Sequence, residues 1–415
     1  MQAGATGKPS AIPKETSMSL LSAVTMAPRD PILGLTEQFV ADTRADKVNL
    51  GVGVYFDEQG RLPLLDCVQQ AEQQLLAAPR PHGYLPIDGI AAYDRAVQEL
   101  VFGAGHPTVA AGRIATVQTL GGTGALKVGA DFLHALGPGA RVLISDPSWE
   151  NHRALFARAG FEVATYPYYD AATRGVRFDA MLAALRDAAP GTIVVLHACC
   201  HNPTGCDLEP DQWAQVVGVV QARGLVAFVD LAYQGFGDGI AGDGAAVRQF
   251  LDAGVDFLVA SSFSKSFSLY GERVGALSVV CADRDEAARV LSQLKVTIRT
   301  NYSSPPTFGA QVVATVLTTP ALRALWEREL AGMRERIRAM RERLRAGLQA
   351  AGVTQDLAYI TRQKGMFSYS GLSTAQMQRL RSEYGVYGVD SGRICVAALN
   401  GGNLDAVVRA IVAVM

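Results

Sequence analysis

Five short apolar runs in the middle of the chain constrain its fold more than any other feature. They cover residues 142–144, 193–198, 225–229, 257–260 and 275–280. Apolar and polar residues do not alternate within them, so the strands they predict should be buried on both faces. Helical patterns such as residues 209–223 lie between several runs, and this order predicts an α/β fold with a mostly parallel sheet flanked by helices. Ligands bind such sheets beyond the carboxyl ends of the strands, where we expect the chemistry.

A long charged helix near residue 340 indicates a change of domain. Its apolar residues recur every three or four positions in one stripe, formed by Leu330, Met333, Ile337, Met340, Leu344 and Leu348. Gly352 stands where such a helix would end. A single core tends to stop growing at roughly 250–300 residues, so a chain of this length is expected to form two domains. We place the boundary within the helix and expect a smaller α/β domain after it.

The composition excludes several classes of function. The net charge of -1 argues against a nucleic-acid partner, and the apolar runs are much shorter than the ~20 residues of a membrane-spanning helix. Residues 1–17 are small and polar, without the apolar stretch of a signal peptide, and we expect a disordered extension there. The six cysteines match no zinc or redox spacing. We therefore expect no metal and a cytoplasmic enzyme.

Two clusters follow neighbouring runs and suit one kind of chemistry. Lys265 ends the segment SSFSK after the run 257–260, and a lysine amine with a lowered pKa can form a Schiff base with a carbonyl cofactor. Asp230 follows the run 225–229, with Tyr233 three residues later. A carboxylate is the group that keeps a pyridine nitrogen protonated. Each of these residues, taken alone, could equally well be a structural residue at the end of a strand, without a role in catalysis.

Three further clusters suit anion binding. Gly122 and Thr123 lie in a glycine-rich segment that opens a helical stretch, where backbone N–H groups can hold a phosphate. Asn202 lies in the turn HNPTG after the run 193–198. Arg299 and Arg393 can each hold a carboxylate through two hydrogen bonds, and Arg273 is a candidate phosphate ligand. None of these signals is specific alone.

The order and the amino-acid sequences of these clusters resemble those of the class I aspartate/aromatic aminotransferase family over residues 18–415. The matching segments are NLGVGVY, GYLPIDG, GGTGALKVGADFL, DPSWENH, HACCHNPTG, DLAYQGFG, SSFSKSFSLYGERVGA, NYSSPP, KGMFSYSGL and SGRICVA. The resemblance implies the fold type I of pyridoxal-phosphate-dependent transferases and a homodimer with shared active sites. It divides the chain into an arm and part of the small domain (18–61), a large cofactor-binding domain (62–332) and the rest of the small domain (333–415).

The resemblance also implies a role for each candidate residue. Lys265 would be the Schiff-base lysine and proton shuttle for pyridoxal 5'-phosphate, Asp230 would bind the ring nitrogen, and Tyr233 and Asn202 the ring oxygen. Trp149 would stack on the ring, with His152 and His197 close behind it. The phosphate would be held by Gly122, Thr123, Ser262, Arg273 and, from the partner subunit, Tyr84. The substrate would meet Arg393 at its α-carboxylate, Arg299 of the partner subunit at its other end, and Gly53 and Phe367 at the mouth.

The amino-acid sequences of these segments are most similar to those of the aromatic branch of the family. Strict aspartate enzymes tend to carry Asn where this chain has Ser304, and Ala398 replaces a more usual Gly. We therefore expect transfer of the amino group of Tyr, Phe and Trp to 2-oxoglutarate, with aspartate and glutamate also accepted. The alternatives are a strict aspartate aminotransferase, a β-lyase on the same fold, and a ligand sensor without catalytic activity.

Overall fold

The computed structural model describes residues 19–27, 32–79 and 81–415, so the extension expected over residues 1–17 lies outside it. The β-strands are β1 (Val48–Asn49), β2 (Ile114–Leu120), β3 (Arg141–Asp146), β4 (Glu162–Pro167), β5 (Tyr169–Asp170), β6 (Gly175–Val176), β7 (Ile193–His197), β8 (Val226–Leu231), β9 (Phe257–Ser262), β10 (Val274–Val280), β11 (Phe367–Tyr369), β12 (Val386–Tyr387) and β13 (Arg393–Cys395). The α-helices are α1 (Leu33–Ala41), α2 (Asp66–Ala77), α3 (Ala91–Phe102), α4 (Pro107–Ala110), α5 (Gly121–Leu136), α6 (Glu150–Arg158), α7 (Phe178–Asp187), α8 (Pro210–Arg223), α9 (Ile240–Asp243), α10 (Ala245–Asp252), α11 (Arg284–Asn301), α12 (Phe308–Thr318), α13 (Pro320–Ala350), α14 (Ala358–Arg362), α15 (Thr374–Tyr384) and α16 (Leu404–Val414). Short 3-10 helices cover Leu20–Ala23, Tyr270–Glu272 and Val396–Ala398.

The centre of the fold is a seven-stranded sheet in the order β2-β10-β9-β8-β7-β3-β4. Strand β10 is antiparallel to both its neighbours, and the other neighbouring pairs are parallel. Each of the five predicted apolar runs forms part of a strand in this sheet. Successive residues of β7 pack into different cores on the two faces, Val194 into one and Val195 into the other. The predicted α/β architecture is confirmed.

Two outer strands, β2 and β4, had no apolar run to predict them. Strand β2 is almost fully buried, but polar residues interrupt it. The Thr116 and Ser278 hydroxyls lie 2.9 Å apart, and the side-chain amide of Gln118 donates to the carbonyl of Pro306 at 2.6 Å. These partners lie far along the chain and make the polar groups compatible with burial. Strand β4 is an edge strand and is partly exposed.

Helix α13 carries the predicted apolar stripe, and all six of its residues are buried. The helix ends at Ala350, and Gly352 has a φ of +87°, the conformation expected just beyond a helix. Within the described part of the chain no single helix is long and apolar enough to cross a membrane. Helices α12 and α13 satisfy that length and composition test only as a pair, which is bent by 100°.

Two small sheets join distant parts of the chain beside the central one. Strand β1 pairs in parallel with β12, and β11 pairs antiparallel with β13. The first pairing ties the segment near residue 48 to the C-terminal part of the chain. It supports the proposed division in which residues 18–61 and 333–415 together form a small domain.

Arg341 fastens α13 to the loop that leads into β11. Its side chain is buried, and its guanidinium donates to the carbonyl oxygens of Ile360 at 3.0 Å, of Gly365 at 2.8 Å and of Phe367. Burial lowers the pKa of Arg341 to about 10, which leaves it charged at neutral pH. The hydrogen bonds therefore offset a large desolvation cost.

We predict that Arg341→Met destabilises the protein by about 3 kcal/mol, because it leaves several buried carbonyl groups without donors. The measurement is the midpoint of thermal unfolding, which should fall by several degrees. Arg343→Met, an exposed position on the same helix, is the matched control and should leave the midpoint unchanged. Equal midpoints for the two variants would contradict the role given to Arg341.

Candidate active site

One cavity of about 170 Å³ lies at the carboxyl edge of strands β7, β8 and β9. It is lined by Ile32, Gly53, Gly122, Thr123, Leu126, Trp149, His197, Asn202, Asp230, Ala232, Tyr233, Ser262, Ser264, Lys265, Arg273, Phe367 and Arg393. Every candidate site residue is among them except Tyr84, Arg299 and His152. The fold therefore brings most of the predicted site residues together in one place.

Lys265 projects from the loop after β9 and is half-buried. Its Nζ lies 5.0 Å from the ring centroid of Tyr233. Burial lowers the pKa of Lys265 to about 8, Asp230 opposes the shift, and Arg273 and Arg393 add to it. The amine therefore has a substantial neutral fraction near neutral pH, as a nucleophile or a general base requires.

Asp230 ends strand β8 and is buried, with one carboxylate oxygen 3.0 Å from Nε2 of His152. Burial alone would raise its pKa, but the hydrogen bond from His152 and the positive charge of Lys265 outweigh burial and hold the pKa below its usual value. Asp230 is therefore a carboxylate at neutral pH, which suits a protonated ring nitrogen. His152 also contacts the Ser148 hydroxyl at 2.9 Å through Nδ1.

His197 lies against His152, with ring centroids 5.0 Å apart. Within the described residues neither of its ring nitrogens has a hydrogen-bond partner, although the side chain is buried. Burial lowers the pKa of His197 to about 3, so the ring is neutral. Buried polar atoms without partners usually have one that the protein chain does not supply. The cavity beside His197 is thus a place for a polar ligand.

The opposite end of the cavity suits a phosphate. Helix α5 begins at Gly121, directly after β2, so its positive end and unpaired N–H groups face the cavity through Gly122 and Thr123. A Cβ added to Gly122 would lie 3.1 Å from that of Ser262, so the close approach favours glycine. Arg273 adds a positive charge, and its Nη1 is held by the carbonyl of Tyr270 at 2.9 Å.

Arg393, on strand β13, places a second arginine in the wall of the cavity. It is 1% exposed, and it donates to Oδ1 of Asn202 at 3.0 Å and to the carbonyl of Gly51 at 2.8 Å. Its guanidinium carbon lies 4.3 Å from the ring centroid of Phe367. No carboxylate pairs with Arg393 in the described part of the chain, and its Nε has no partner there. A buried cation without a counter-charge is costly, so this arginine suits an anionic ligand.

Tyr84 and Arg299 do not reach this cavity within one chain. Both are exposed, Tyr84 by 99%. They lie together in a separate surface pocket, which Ser304 also lines. The structure thus separates the two residues that the sequence assigned to a partner subunit from all the others.

Some lining residues were not predicted. Ser264 lies between two predicted residues, Ser262 and Lys265, and its Oγ accepts from Arg273 at 3.5 Å. The repeated serines of the segment SSFSK were the signal that could have found it. Leu126, on α5, gives the cavity an apolar wall, and nothing in its sequence context distinguishes it from a core leucine.

The fold and the cavity together define an enzyme site built for an aromatic cofactor with a phosphate and for a substrate with a carboxylate. The family described as aminotransferase class I and II matches residues 45–411. The chain belongs to this family, as the sequence predicted, and the expected enzyme class is confirmed.

Several relatives are similar over nearly the whole chain. The aspartate aminotransferase of Pseudomonas aeruginosa is 62% identical over 96% of this chain and 100% of its own length. The aromatic-amino-acid aminotransferase of Escherichia coli is 55% identical over 93% of this chain and 98% of its own. The crystal structure of the aromatic-amino-acid aminotransferase from Burkholderia pseudomallei, with covalently bound pyridoxal phosphate, is 66% identical over 96% of this chain and 100% of its own, with a TM-score of 0.94.

We predict that the apoenzyme captures pyridoxal phosphate covalently at a rate that rises with pH through a midpoint near pH 8 and levels off above it, because only the neutral Lys265 amine reacts. Stopped-flow absorption between pH 6.5 and 9.5 would measure it. Asp230→Asn removes the charge that raises the pKa of Lys265, so the midpoint should move to lower pH. Asp211→Asn, an exposed control, should not move it. A midpoint near 10.5, the ordinary lysine value, would refute the assignment.

Proposed function

We propose that the chain is a pyridoxal-phosphate-dependent aromatic-amino-acid aminotransferase that also accepts aspartate and glutamate. The observation that carries the proposal is one cavity with Lys265 between the buried carboxylate of Asp230 and the unpaired cation Arg393. The names of its relatives cover both substrate classes. The acceptor would be a 2-oxo acid such as 2-oxoglutarate.

The residues of the cavity fit the cofactor. Gly122, Thr123, Ser262 and Arg273 would hold the phosphate, with Ser264 behind Arg273. Trp149 would lie against the ring, and Tyr233 and Asn202 would reach the ring oxygen. Lys265 would carry the cofactor covalently, and the buried His197 nitrogens lie behind the ring position.

Pyridoxal phosphate supplies a ring that withdraws the electrons of a broken Cα–H bond. Arg393 fixes the substrate α-carboxylate, which orients the Cα–H bond toward the amine of Lys265. Once displaced by the amino acid, the neutral amine would take the α-proton from Cα and deliver it to the cofactor carbon. Asp230, kept ionised by His152, would keep the ring nitrogen protonated. The buried surroundings of Lys265 both lower its pKa and limit competing proton exchange with water.

The residues that line the cavity favour a broad range of substrates. One chain offers a single carboxylate anchor, Arg393, next to the apolar surfaces of Leu126, Trp149 and Phe367. This surface suits an aromatic side chain. A dicarboxylate needs a second cation, for which Arg299 of a neighbouring subunit is the candidate. A strict aspartate aminotransferase is the alternative.

A homodimer with shared active sites follows from this arrangement. Tyr84 and Arg299 are exposed and adjacent, yet the roles implied for them lie inside a cavity that they do not line. Pairing two chains would bring them to the partner's cavity, and an aromatic side chain as exposed as Tyr84 is typical of an interface. We include the cytoplasmic location in this proposal.

We predict that Lys265→Ala abolishes turnover and the covalent cofactor absorption band, because no other amine faces the cavity in the described chain. Steady-state transamination and the absorption spectrum of the purified variant measure both effects. Lys127→Ala, which removes a lysine paired with Asp131 on α5, should keep the band and the rate. Near-native transamination by Lys265→Ala would refute the proposal.

Specificity is tested by titrating the holoenzyme first with phenylalanine and then with aspartate, without any oxo acid. We predict that both convert the cofactor absorption to that of the amine form, and that phenylalanine does so at the lower concentration. The apolar wall of the cavity is the physical reason. Conversion by aspartate alone would establish the strict alternative.

Arg299→Leu should lower kcat/KM for aspartate about a hundredfold, the loss expected for one charged anchor, and change that for phenylalanine little. The dimer is tested by mixing this variant with Lys265→Ala after dissociation. In a mixed dimer one site combines an intact Lys265 with an intact Arg299 from the other chain. Aspartate activity should therefore return on mixing. If it does not return although mixed dimers are demonstrated, each site takes Lys265 and Arg299 from one and the same chain, and the shared-site proposal is refuted.

A further inference from the structure

A second cavity lies on the back of the strand pair that holds Arg393. Here the β11–β13 ribbon means Phe367–Tyr369 paired antiparallel with Arg393–Cys395. Successive residues of a strand point to opposite faces. Phe367 and Arg393 line the active site, whereas the next residues, Ser368 and Ile394, line the second cavity. The ribbon is therefore a wall shared by two cavities.

The interior of the second cavity is apolar on the side of α13, α14 and α16, where Leu344, Leu348, Ile360 and Ile411 line it and are all buried. Serine and glutamine side chains line part of the remainder. The volume of the cavity is about 100 Å³. A cavity of about 150 Å³ holds benzene, so this one has space for an apolar group of about four carbon atoms, such as an isobutyl group.

One cation lies beside this apolar interior. Arg174 carries the only charged side chain among those lining the cavity, and within the described residues it forms no ion pair with a carboxylate. Its guanidinium packs over the ring of Tyr359, with the guanidinium carbon 4.1 Å from the ring centroid. A single weak contact to the carbonyl of Ser370, at 3.5 Å, leaves most of its N–H groups available. An oriented guanidinium suits a carboxylate.

We infer that this cavity binds a small branched-chain carboxylate, with the carboxylate on Arg174 and the aliphatic group between α13 and α16. Such a ligand would contact the ribbon at Ser368 and Ile394, opposite the residues that hold the substrate. The ribbon would then transmit occupancy of the second cavity to the carboxylate end of the active site. Substrates and products of an aminotransferase are carboxylates, so ligands of this class are present wherever the enzyme works.

The test is calorimetric titration of 4-methylpentanoate into the holoenzyme, with succinate at saturating concentration to occupy the active site. We expect saturable binding of one molecule per chain. The uncharged 4-methylpentanamide should bind about tenfold more weakly, because it lacks the charge that Arg174 recognises. Arg174→Gln should lose the preference for the acid, and Arg186→Gln, an exposed arginine outside the cavity, should keep it.

Equal affinities of acid and amide for the unmodified protein would overturn the inference, and this comparison does not depend on any variant folding. Absence of binding once succinate is saturating would also overturn it, because binding would then belong to the active site. A separate measurement tests whether the β11–β13 ribbon couples the second cavity to the active site. We expect 4-methylpentanoate to change the KM for aspartate at least twofold in Arg186→Gln and not in Arg174→Gln, and equal values would refute the link.

Discussion

The register of three parallel strands is the constraint on which the active site depends. His197 lies opposite Asp230 across β7 and β8, and Asp230 lies opposite Ala260 across β8 and β9, so the strand ends form one row. Lys265 follows five residues after Ala260. All three strands are buried on both faces, and a slip of one residue would turn every side chain to the wrong face. The apolar interior thus fixes the position of the charged groups.

Burial in turn gives these groups their charge states. Desolvation disfavours the charged form of both groups: it lowers the pKa of Lys265 and, acting alone, would raise the pKa of Asp230. The hydrogen bond from His152 helps to keep Asp230 ionised, whereas Lys265 has a pKa of about 8. An ionised acid and a partly neutral base can therefore lie in one cavity at the same pH, as α-proton removal requires. The imidazole of His197, which has no hydrogen bond among the described residues, stays neutral.

Sequence patterns predicted the strands whose residues are apolar in an unbroken or nearly unbroken run. They also predicted the site residues that lie in short motifs. Strands β3 and β7–β10 were predictable because their apolar runs are nearly continuous, with His197 and Ser278 as the polar residues within them. Strand β2 was not, since Thr116 and Gln118 interrupt it, and the sequence does not show their partners 162 and 188 residues away. The contact of His152 with Asp230 likewise joins residues 78 positions apart. Resemblance to the family identified these residues as site candidates, but the distances between them and their charge states could be obtained only from the folded structure.

The two arginines proposed to bind substrate carboxylates differ in a way that bears on substrate choice. Arg393 is buried, oriented by Asn202 and Gly51, and fixed before any ligand arrives. Arg299 is exposed, and its side chain donates only to the nearby Ser303 hydroxyl in the described chain. A preorganised anchor loses little entropy on binding, whereas an exposed one can turn toward a carboxylate or away from a ring. A buried, oriented arginine for the group that all substrates share, and an exposed arginine for the group that varies, would form an arrangement that can admit both substrate classes.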